Sequence, residues 1–185
     1  MTKVSDRLNR LAESATLAMA RMSRELQAKG IDVIALSLGE PDFDTPEFIK
    51  EAAKKAIDDN FSHYTPVPGL PELRSAIVQK FKRDNDLEFT ADQIVTSTGA
   101  KQSLANLCLS LLNPGDEVLL PCPYWVSYTE LVKLAEGVPV EVPSTIDSDF
   151  KVTPEQLEAA ITPKTKLLMF SSPCNPSGTV YTQSE

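Results

Sequence analysis

At 185 residues, with 42% hydrophobic and 24% charged side chains, the chain has the size and composition of one globular domain plus a short extra segment, without internal repeats or low-complexity tracts. A formal net charge of −8 argues against a nucleic-acid binder, which presents a basic surface to phosphates, and suits a soluble cytoplasmic protein. The three cysteines, Cys108, Cys122 and Cys174, fit neither a disulfide framework nor a zinc pattern and read as reduced thiols, and the acidic residues show no metal spacing.

The first residues alternate in charge and lack the apolar core of a secretory signal, and no run reaches transmembrane length, so no membrane partner is expected. Residues 16–29 carry Leu17, Ala20, Met22 and Leu26 at helical spacing and stop at Gly30. Residues 33–38 read as a short strand, followed by a loop, and Thr45-Pro46 starts a helix that runs to about residue 59. The linker 60–70 holds His63, Tyr64 and Gly69; residues 71–85 form a second helix with Leu73, Ile77 and Phe81 on one stripe.

From residue 94 onward short strands alternate with helices: strands at 94–98, 117–121, 138–142 and 166–171, helices at 99–112, 124–135 and 154–161, with Thr153 as a cap. This β-α-β-α-β-α-β order predicts an α/β fold, a mostly parallel sheet with helices on both faces, with functional groups gathered at strand ends and helix starts. Thr182-Gln183-Ser184-Glu185 has the capping-box pattern of a helix start, which together with this rhythm suggests part of a longer protein.

Three corners carry candidate chemistry. Ser97-Thr98-Gly99-Ala100-Lys101-Gln102 turns a strand into a helix whose unpaired N–H groups, with Lys101, suit a phosphate; taken alone, a well-made strand-to-helix turn is the plainer account of it. Pro121-Cys122-Pro123-Tyr124-Trp125 puts the only tryptophan on a proline-punctuated loop, either to stack on a planar ligand or to pack in the core. Ser171-Ser172-Pro173-Cys174-Asn175-Pro176-Ser177-Gly178 follows the apolar run 167–170, and its prolines restrict Asn175, either to aim its amide or to make an ordinary turn. Tyr64 is a ligand or subunit contact or a surface tyrosine; His63 has no triad partners nearby and reads as structural, and nothing next to Cys174 in sequence activates its thiol.

Taken together, Gly39-Glu40-Pro41-Asp42-Phe43, Tyr64 ahead of Gly69-Leu70-Pro71-Glu72-Leu73-Arg74, Gly99-Ala100-Lys101-Gln102, Asn113-Pro114-Gly115-Asp116, Pro123-Tyr124-Trp125 and Ser172-Pro173-Cys174-Asn175-Pro176-Ser177-Gly178 stand in the order seen in class I, fold-type I aminotransferases. The whole chain resembles that family, and within it the bacterial aspartate aminotransferases.

The resemblance implies pyridoxal 5'-phosphate as cofactor and amino-acid and 2-oxo-acid substrates. It implies cofactor contacts from Tyr64, Gly99, Ala100, Lys101, Trp125 and Asn175, and substrate contacts from Gly39, Trp125, Asn175, Lys101, Ser14 and Thr16. Tyr64 would reach the phosphate of a partner subunit, hence a homodimer. Residues 1–45 correspond to an N-terminal segment belonging to the family's small domain, and 46–185 to the first half of its large, cofactor-binding domain. The family's Schiff-base lysine matches no lysine here and would follow Glu185, so the 185-residue chain is expected to be inactive alone and to leave apolar sheet surface uncovered. A prephenate, aromatic or alanine aminotransferase, a carbon–sulfur lyase of the same fold, or a non-catalytic interaction module would keep most of these motifs.

Overall fold

Strand β1 (Glu117–Pro121) lies between β2 (Val138–Val142) and β3 (Thr165–Leu168) in a three-stranded parallel sheet. The computed structural model describes residues 4–36 and 38–185. Side chains alternate across a strand, so Val118 and Leu120 enter one core with Cys108, Leu112, Tyr128 and Val132, while Leu119 enters a second with Val142 and Val152. Helices α5 (Ala100–Leu111) and α6 (Ser127–Leu134) cover the first core, and α7 (Pro154–Ala160) covers the second. Burial on both faces explains why β1 is continuously apolar at its centre. This is the expected architecture, with a smaller sheet than the sequence predicts.

Two expected strands are absent among the described residues, and in each case the backbone is engaged elsewhere. Residues 94–98 do not pair: Ile94 N–H donates to Ala91, Thr96 N–H to Pro68 at 2.9 Å, and the Ile94 carbonyl accepts from Arg74. Residues 33–36 also lack a ladder partner, and Ile34 and Leu36 are 84% and 91% exposed; Ser37 lies outside the described residues. The strand expected at 166–171 stops at Leu168, although Met169 N–H still donates to Leu119 at 3.0 Å.

The helices follow the sequence signals closely. Ahead of the sheet come a single turn, α1 (Asp6–Asn9), then α2 (Ala15–Ala28), α3 (Glu47–Asp58) and α4 (Pro71–Asn85). The end of α2 is a Schellman closure, with Ile31 N–H on Leu26 and Gly30 N–H on Gln27. Thr153 caps α7 reciprocally with Gln156. The stripe on α4 is less buried than expected, since Leu73 is exposed. Thr182 and Glu185 make the two reciprocal capping bonds, at 2.6 and 3.3 Å, without a helical turn.

The described residues fall into two units. One joins the chain up to Leu38 with Gly99–Glu185 and contains the sheet; the other is Gly39–Thr98, built from α3, α4 and the turn Ala91–Gln93. In the second unit Arg74, 13% exposed, ties α4 to that turn through the Ala91 and Ile94 carbonyls and the Asp92 carboxylate. Apolar side chains remain uncovered, among them Phe170 just past β3 and Val95.

Candidate functional site

The end of β1 and the start of α5 converge on Trp125. The indole sits on the short link between β1 and α6, partly buried against the first core. Lys101, in the first turn of α5, holds its ammonium over the indole ring at 5.0 Å from the centroid. Gly99 caps α5 without a side chain, at φ 83° and ψ 165°, a region open essentially to glycine. A Cβ there would meet nothing within 4 Å, so conformation rather than space calls for glycine.

An open cavity of about 500 Å³ adjoins Trp125 and Lys101, with Ser14 and Thr16 on its wall. The Ser14 hydroxyl also caps α2, accepting from Leu17 N–H at 3.5 Å. This stretch is fastened to α6 and the turn that follows it: Ala12 N–H donates to Glu130 at 2.8 Å, and Arg7 and Arg10 pair with Glu136 at 3.5 and 3.4 Å. Residues from three separate stretches of sequence, Ser14 and Thr16, Lys101, and Trp125, thus share one cavity.

Asn175 lies on a loop closed by Gly178 N–H on Cys174 at 2.7 Å and Cys174 N–H on Thr179 at 2.9 Å. The Cys174 thiol donates to the Pro123 carbonyl at 3.2 Å, linking this loop to the one that carries Trp125. The exposed Asn175 amide side chain makes no hydrogen bond among the described residues. Tyr64 and Gly39 belong to the second unit. Tyr64 is fully exposed and lines an open depression of about 230 Å³ with Ser62 and His63, and Gly39 has open space around its Cα.

The sequence reading passed over the residues behind Trp125. Tyr128, buried, meets the indole edge-on, with centroids 5.7 Å apart and planes at 89°, and lies nearly parallel to Tyr124 at 6.4 Å. The Tyr124 hydroxyl donates to Glu141 of β2 at 2.6 Å and contacts the Thr129 hydroxyl at 2.5 Å. Burial, then the Glu141 carboxylate, pushes the Tyr124 phenol up to about 12, and burial followed by Glu141 also raises the Cys122 thiol. The usable signal was spacing: the helix expected over 124–135 would set Tyr128 three and four positions after Trp125 and Tyr124, as helical neighbours, although α6 starts only at Ser127. Among the described residues no group of three or more His, Cys, Asp or Glu is placed to hold a metal, and no helix is long and apolar enough to cross a membrane.

A helix start closed by a glycine, a lysine in its first turn and a flat aromatic face beside an open cavity suit an anionic group attached to a planar ring. The chain belongs to the class I and II aminotransferases, whose family profile matches residues 31–185; membership implies pyridoxal phosphate. It is similar to the aspartate/prephenate aminotransferase of Cereibacter sphaeroides, at 54% identity over 185 residues, covering 100% of this chain and 46% of that protein. Among solved structures, it resembles the aspartate aminotransferase from Thermus thermophilus with maleate, at TM-score 0.95 and 46% identity over 100% of this chain and 48% of that one. The aspartate aminotransferase from Rhizobium meliloti matches at TM-score 0.95 and 43% identity, over 100% and 46%. The chain therefore spans about half the length of the relatives it matches.

Proposed function

We propose that this chain supplies about half of a cytoplasmic, pyridoxal-phosphate-dependent aminotransferase that passes the amino group of L-aspartate to 2-oxoglutarate, residues 1–45 joining its small domain and 46–185 its large one. Bound pyridoxal phosphate supplies an electron sink for negative charge at the substrate's α-carbon. The N–H groups at Gly99, Ala100 and Lys101 hold the phosphate. Trp125 covers one face of the ring and excludes water from it. The Asn175 amide would donate to the cofactor's phenolic oxygen and help orient the substrate carboxylate, and the Gly39 backbone would contact substrate. The Lys101 ammonium, with the hydroxyls of Ser14 and Thr16, takes the second carboxylate of an acidic substrate. Tyr64 reaches the phosphate held by the other subunit of a homodimer.

The observation that carries this reading is the Lys101 ammonium 5.0 Å over the Trp125 ring, beside a cavity of about 500 Å³ shared with Ser14 and Thr16: one cation serves a planar ring and an acidic side chain together. The test is an amino-donor panel on the full-length protein, with aspartate preferred over aromatic and alanine donors; no activity with acidic donors overturns it. The name of the Cereibacter sphaeroides relative favours a second substrate, prephenate, which a parallel panel of 2-oxo-acid acceptors with aspartate as donor resolves.

The 185-residue chain alone lacks a lysine in the Schiff-base context and is inactive. Borohydride reduction that left pyridoxyl on one of its lysines would sink that claim. In the full-length protein Asn175→Ala lowers the rate and shifts the pH titration of the cofactor's absorbance while leaving the melting temperature unchanged. An unchanged rate and spectrum would return Asn175 to an ordinary turn.

A further inference from the structure

The position and tilt of an aromatic platform decide how well a flat ring stacks on it, and the platform here is mounted on a link between two elements rather than within one. Trp125 lies between the end of β1 at Pro121 and the start of α6 at Ser127. What holds the indole from behind is Tyr128, 7% exposed, whose ring meets it edge-on at 5.7 Å and whose N–H donates to the Trp125 carbonyl at 2.9 Å. Tyr128 is in turn backed by Tyr124, with planes 14° apart, and Tyr124 is anchored to the sheet through Glu141 at 2.6 Å and to α6 through Thr129 at 2.5 Å. The chain of contacts runs without a gap from strand β2 to the indole, and ends at the ammonium of Lys101 over the ring.

We propose that Tyr128 is a positioning residue that fixes the plane of Trp125 for stacking on the cofactor ring, with Tyr124 and Glu141 as its anchor. This inference rests on the reading of Trp125 given above. Edge-to-face contact brings the positive rim of one ring against the negative face of the other, so it holds a tilt as well as a distance. The phenol ring of Tyr128 does this work, and its hydroxyl does not: no hydrogen bond to that hydroxyl occurs among the described residues.

The test uses the full-length protein grown with 5-fluorotryptophan, the Trp125 fluorine resonance being identified by its loss in Trp125→Phe. Tyr128→Leu is expected to shift that resonance and to raise the Kd for pyridoxal phosphate about three- to tenfold, the span of one aromatic contact. Tyr128→Phe, which keeps the ring, retains the parent's resonance and Kd. Tyr124→Phe, which loses only the anchor bonds, shifts the resonance in the same direction by less. An unmoved resonance in both Tyr128→Leu and Tyr124→Phe overturns the proposal, as does a Tyr128→Phe variant that behaves like Tyr128→Leu. Should Tyr128→Leu fail to fold, Tyr124→Phe decides on the same reading. The fluorine measurement is made without cofactor, so a parent protein that bound no pyridoxal phosphate would refute the proposed function while the shift still reported on the indole.

Discussion

The Cys174 thiol and the Pro123 carbonyl, 3.2 Å apart, join two loops that arise at the ends of neighbouring strands, β3 and β1. A thiol is a weak donor, so the bond belongs at the low end of the usual net worth of about 0.5–1.5 kcal/mol. Cys174→Ala is expected to speed hydrogen exchange at the amides of Cys174 and Gly178 about two- to threefold. Exchange at the parent's rate would show that the loop is held by its own closing bonds alone.

Tyr124 predicts a pH dependence. Its folded-state pKa is raised from 10.0 to about 12, chiefly by burial and then by the bond to Glu141. The folded protein therefore holds this proton more tightly than the unfolded chain, and the stabilisation is fully present below about pH 10 and lost as pH rises through about 12. Ultraviolet absorbance should show a phenol ionising near pH 12 that is missing in Tyr124→Phe, together with a shallower alkaline loss of stability in that variant.

In the second unit, Gly69 adopts φ +104°, and a Cβ there would lie 2.1 Å from the Thr96 hydroxyl. Thr96 has little room to give, because its N–H and hydroxyl both bond Pro68, at 2.9 and 3.2 Å. Gly69→Ala should cost at least about 2 kcal/mol from backbone strain and crowding together. Gly39→Ala, with nothing within 4 Å of the new Cβ, should leave the urea midpoint near the parent's.

Arg74 offers a sharper contrast between geometry and charge. Its guanidinium serves the Ala91 and Ile94 carbonyls and Asp92 at once, which a single ammonium cannot reproduce. Arg74→Lys is expected to destabilise this unit by about 1–3 kcal/mol, whereas Asp92→Asn, at an exposed carboxylate, should change stability by under about 0.5 kcal/mol. Equal losses from both variants, read from urea melts, would assign the effect to the ion pair instead.

The helices and the three sheet strands were legible in the sequence because their signals are local: Pro71 at a helix start, Thr153 with Gln156, the apolar run of β1. The strand expected at 94–98 failed because a β-like segment is completed only by a partner, and here Arg74 and Pro68 took its backbone groups. At the site, Lys101 and Trp125 stood out as residue types in suggestive loops. Their contact, and the cavity shared with Ser14 and Thr16, required the fold. Tyr128 was hidden for a different reason: an aromatic on the inner face of a helix looks like core, and only its angle to Trp125 distinguishes support from filling.

The place of β1 at the middle of the sheet has a consequence for synthesis. Both strands that flank it lie later in the chain, so as the polypeptide leaves the ribosome the most apolar strand is completed before either neighbour exists. At about 5–20 residues per second, the wait for β3 lasts a few seconds. During that interval α5 is already available to one face of residues 118–120, but both edges and the Leu119 face that α7 later covers stay open, the kind of surface that invites association.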